Sequence, residues 1–115
     1  HPYTNPNPVT NVANCIEIAN ILMDQGHAIY APIVMTHYLD QAESRPAEWW
    51  YEFDHALMNR CDGIILAGNW RESRGCLMEY EWFKSHEKMA FEYIADTRSI
   101  KAIYNISLLQ EGETK

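Results

Sequence analysis

Residues 59–83 read NRCDGIILAGNWRESRGCLMEYEWF, and the fold turns on how they are parsed. The pattern is strand, loop, helix. Asp62-Gly63 leads into the apolar run Ile64-Ile65-Leu66-Ala67, which has the length of a buried strand. Gly68-Asn69 ends the run with turn chemistry. Ser73 is an N-cap residue type, and Arg74 to about Glu87 carries helix formers throughout. Cys76, Tyr80 and Phe83 then fall on one face that can bury against a sheet, while Gly75 and Glu79 lie four apart on another. A glycine in the first helical turn lowers stability, which points to something that needs close access to the backbone there. The same turn offers unpaired N–H groups and the positive end of the helix dipole. Such a turn makes a floor for a sugar or nucleotide, with Glu79 facing the reacting carbon.

On the N-terminal side, His1-Pro2-Tyr3-Thr4-Asn5-Pro6-Asn7-Pro8 is a loop by composition, with Asn7 as N-cap and Pro8 at the first helical position. Val9, Val12, Ala13, Ile16, Ala19 and Met23 recur at helical spacing up to Gly26, which has the character of a C′ residue. His27 to Val34 is expected as a strand that stops pairing near Pro32, and Met35 to Arg45 as a loop or short helical turn. Pro46 opens a Trp-rich helix, PAEWWYEFDHALMNR. On the C-terminal side, Met89 to Ile94 alternates as a strand, and Ile100 to Leu109 is open to either strand or helix.

Alternating helices and strands predict an α/β fold, a three-layer Rossmann or flavodoxin-like parallel sheet. Chains of this type open with a strand that feeds the first loop, and this sequence begins in the loop. Either its first several residues are lacking or KAIYNISLL supplies a replacement strand. The first alternative is favoured, because a central strand is hard to replace.

With 115 residues the sequence fits one domain, 1–115, whose tail from 96 onward is the least determined part. Hydrophobic residues make up 47% and charged residues 22%, the balance of a soluble globular protein. Sixteen acidic against nine basic residues give a net charge of −7, and no basic stripe is present. A nucleic-acid polymer is therefore not the expected partner. Cys15, Cys61 and Cys76 are odd in number and sit in apolar patterns, as reduced cysteines of a cytoplasmic protein do. No apolar run has the length of a membrane span. Neither CxxC nor HxxxH occurs; Glu52-x-x-His55 has half-site spacing in a single copy, so neither metal nor cofactor is expected.

A longer series completes the picture: the His1-Pro2-Tyr3 loop, Gly26-His27-x-x-x-x-Pro32-Ile33, Phe53-Asp54-x-Ala56-Leu57, Cys61-Asp62, and Trp70-Arg71-Glu72-Ser73-Arg74-Gly75-x-x-x-Glu79. It resembles a family of small bacterial and phage proteins related to nucleoside 2-deoxyribosyltransferases and to deoxynucleoside monophosphate N-hydrolases. The resemblance covers roughly residues 1 to 94, and Trp70–Glu79 is its most specific part. It implies a flavodoxin-like fold that cleaves or transfers at the N-glycosidic bond of a nucleoside or its monophosphate. The motif glutamate is the nucleophile in those relatives, here Glu79. The transferases hold an aspartate where this chain has Ser73, and the N-hydrolases a serine. Asp62 or Asp54 would fill the role of a further acidic residue, and His1 and Tyr3 would reach the ligand from the first loop.

The remaining candidates each carry two readings. Ser73 caps a helix in any case, and can bind a sugar hydroxyl or phosphate through the same turn. Arg74 is either a phosphate clamp or surface charge. Trp70 either stacks on a base or covers a core edge. Asp62 is either catalytic or tied to a loop by a structural hydrogen bond. Cys76 lies on the buried face and is expected to be inert. The rival function is a non-catalytic nucleotide-binding sensor of the same fold. A third reading is an oligomer built on exposed aromatics. Four tryptophans exceed what one modest core needs, so a homo-oligomer is expected, with Trp49 and Trp50 buried between subunits.

Overall fold

The computed structural model describes residues 1–4 and 7–104. In chain order it contains α1 (Pro8–Asp24), α2 (Pro32–Ala42), α3 (Ala47–Met58), β1 (Gly63–Leu66), a 3₁₀ turn (Trp70–Glu72), α4 (Arg74–Ser85), β2 (Met89–Ile94) and β3 (Ser99–Tyr104). This is a mixed α/β protein whose described sheet has three strands. The chain divides into two compact units. One holds Tyr3–Cys61, and the other holds His1–Pro2 with Asp62–Lys115, of which 62–104 are described.

The second of these units contains the sheet, in the order β1-β2-β3. β1 and β2 run parallel, with Gly63 opposite Met89 and Leu66 opposite Glu92. β3 returns antiparallel along β2, with Ile94 opposite Ser99. The expected all-parallel alternation therefore holds for one pair only, because the short turn after Ile94 can only reverse the chain. Lys101–Tyr104 does form strand, but at the edge away from β1; Asn105–Leu109 lie outside the described residues. Gly63 is required where it stands, since a Cβ there would sit 2.6 Å from the Met89 carbonyl oxygen.

α4 follows β1 and leads into β2, packing on both. Ser73 caps it as expected, its Oγ accepting from Cys76 N–H at 3.3 Å. Leu66, Trp70 and Cys76 form the buried cluster beneath, flanked by Ile64, Tyr80 and Ile103. The helix ends at Ser85, two residues before the expected point. Lys88 N–H reaches back to Phe83 O and Glu87 N–H to Lys84 O, a closed end in which Glu87 adopts φ +55°. No glycine marks that reversal.

In the unit Tyr3–Cys61, Asn7 caps α1 through Thr10 N–H at 2.8 Å, and Pro8 stands in its first turn. Gly26 closes it at φ +98°, with His27 N–H bonded to Leu22 O. The expected strand over His27–Val34 is not present. Residues 27–31 are irregular, and Pro32 opens α2, which also replaces the expected loop over 35–45. A strand needs a partner ladder, and no described strand pairs with 27–31; proline at a helix start, by contrast, gives up an N–H that has no intrahelical partner. α1 packs on α2, yet no residue of α2 is buried. Between them runs an apolar groove of about 480 Å³ lined by Ile16, Met23, Ile29, Val34, Tyr38 and Leu39 among others. Trp50 is already covered in the single chain, at 7% exposure, and its indole N–H donates to Asp40 Oδ1 at 2.9 Å. Trp49 remains 44% exposed, its ring stacked on Phe53 and under the Arg45 guanidinium.

Candidate functional site

The carboxyl ends of β1 and β2 are where an α/β sheet opens a crevice for ligands. Here that end is built by the turn after Leu66, the 3₁₀ turn and the start of α4. Gly68 makes the turn at φ +66°, and a Cβ on it would lie 3.0 Å from His1 Nε2 and 3.3 Å from Pro2 Cδ. A side chain at 68 is thus disfavoured both by backbone conformation and by space. His1 is held over the same turn by its own geometry, Nδ1 lying 2.8 Å from the Pro2 carbonyl oxygen.

Ser73, Arg74, Gly75 and Glu79 occupy the first part of α4. Ser73 is half-buried and engaged as the cap; Arg74 and Gly75 are exposed. The nearest atom to a Cβ on Gly75 would be Ser73 Oγ, at an ordinary 3.9 Å. The protein's own packing therefore does not require glycine at 75. Glu79 stands one turn further along, half-buried. Asp62 is not brought to this group. It is exposed at the amino end of β1, so it needs no buried partner, and four strand residues (roughly 13 Å of chain) separate it from the crevice end.

Trp70 is 5% exposed, its ring stacked on Tyr80 at 5.5 Å and covered by the Arg71 guanidinium at 4.3 Å. Of its two readings, covering the core is the one this burial fits; little of its face is left for a base. Sequence reasoning missed the residues that hold it. Arg71 grips Glu92 through two hydrogen bonds, Nη1–Oε1 at 2.5 Å and Nη2–Oε2 at 3.2 Å. Those bonds hold the Glu92 carboxyl below its ordinary range against the opposing effect of burial. The charges of Arg71 and Lys101 add to this, as does the Trp70 indole N–H, which is near enough to favour the carboxylate but makes no formed hydrogen bond. The available signal was a glutamate at period two near the end of the strand Met89–Ile94.

The other unit holds the remaining candidates. Tyr3 is tied at both ends: its carbonyl accepts from Asn11 Nδ2 at 2.9 Å and its hydroxyl lies 3.0 Å from His37 Nδ1. Asn11 is buried, at 3% exposure. Asp54 accepts from the Tyr30 hydroxyl at 3.1 Å. Burial raises the Asp54 pKa, opposed by the Tyr30 bond and the charge of His55. Glu52 and His55 are joined by no third residue: among the described residues no three His, Cys, Asp or Glu gather as metal ligands. Among the same residues no helix is long and apolar enough to cross a membrane.

One family model, described as Domain of unknown function (DUF4406), matches residues 7–92. No curated protein and no solved structure matches the chain.

Proposed function

We propose that this chain, which belongs to the DUF4406 family, cleaves or transfers at the N-glycosidic bond of a (deoxy)nucleoside or nucleoside monophosphate, with Glu79 as nucleophile. The observation that carries the reading is the start of α4. Ser73 closes the first turn, the space over Gly75 is open, and a half-buried carboxylate stands one turn on. The resemblance of Trp70–Glu79 to the motif of nucleoside 2-deoxyribosyltransferases and deoxynucleoside monophosphate N-hydrolases supports it. The unit β1-α4-β2, two parallel strands joined through a helix, is the building block of a Rossmann or flavodoxin-like three-layer fold.

Departure of a base from a sugar passes through an oxocarbenium-like state. A carboxylate under the anomeric carbon stabilises that state, or bonds to the carbon and is displaced by water or a second base. The serine at 73 favours water, since the transferases hold an aspartate there. The backbone N–H groups of Ser73-Arg74-Gly75 and the exposed Arg74 guanidinium would receive a 5′-phosphate. His1 would meet the ligand at the Gly68 turn. The exposed Met35, Tyr38 and Leu39 would form a subunit contact in a homo-oligomer.

The test is base release from a panel of 2′-deoxynucleosides and their 5′-monophosphates by the unmodified protein and by Glu79→Gln. The glutamine keeps the shape and removes the charge, so binding survives and release falls by orders of magnitude. A 2′-fluorinated substrate should leave its sugar on Glu79, visible by mass spectrometry. Equal release by both proteins would remove Glu79 as nucleophile. Tight nucleotide binding without turnover by either would establish a binding module instead.

A further inference from the structure

We draw no further inference here: the strongest candidate, the apolar groove between α1 and α2, is an unpartnered face, and nothing in the structure shows what covers it.

Discussion

Arg71 clasps Glu92 across the carboxyl ends of the two parallel strands, Nη2 to Oε2 at 3.2 Å, while its guanidinium covers the Trp70 ring. Glu92 stands opposite Leu66, the last residue of β1. The pair thus links the turn that follows the first strand to the end of the second. It is a brace for the loop from which α4 begins.

The brace should be sensitive to acid. Glu92 has its pKa lowered by Arg71, so its contribution is present above the ordinary glutamate value of 4.5 and is lost as pH falls through the lower folded value. Glu92→Gln should therefore lower Tm at neutral pH, and the gap to the unmodified protein should close in acid. Arg71 is largely exposed, so the gap is expected to be small. Thermal melts of both proteins across pH measure it; a gap that persists undiminished in strong acid would show that charge is not its source.

Asp54 should behave in the opposite sense. Its pKa is raised above 3.8 by burial, so the folded state prefers the protonated form and loses stability as pH climbs from 3.8 through the raised value. Asp54→Asn keeps an acceptor for the Tyr30 hydroxyl and removes the charge. The variant should melt higher than the unmodified protein at neutral pH and level with it in acid. A lower Tm at neutral pH would instead show that the carboxylate is stabilised by a partner stronger than Tyr30.

Gly75→Ala separates structure from ligand. Nothing in the protein opposes a Cβ there, and replacing a helical glycine should raise stability by up to about 1 kcal/mol. If the open surface over residue 75 receives a nucleoside, the same methyl should weaken binding. Calorimetric unfolding and titration with a deoxynucleoside monophosphate test the two halves. A more stable protein of unchanged affinity would move the ligand away from this turn.

Local chemistry makes several elements legible in the sequence itself. Asn7 and Pro8 announced the start of α1, Gly26 its end, and Ser73 the start of α4, because each is a residue type that satisfies or gives up backbone groups within a few positions. The apolar run after Asp62 and the alternation over Met89–Ile94 announced β1 and β2 for the same local reason. The end of α4 was misplaced because Glu87, an ordinary residue type, takes the left-handed position that glycine usually marks.

Non-local matters were decided only in three dimensions. Whether 27–31 becomes strand depends on a partner ladder, which no pattern inside the segment can supply, and Pro32 resolved it as the approach to a helix. The direction of β3 followed from the tight turn after Ile94. The motif Trp70–Glu79 identified Ser73, Gly75 and Glu79 as a group, since a helix fixes their mutual spacing. It could not identify Glu92 as the partner of Arg71, nor His37 as the partner of Tyr3. Those pairs lie 21 and 34 residues apart in the chain, and their hydrogen bonds exist only because separate elements bring the side chains together.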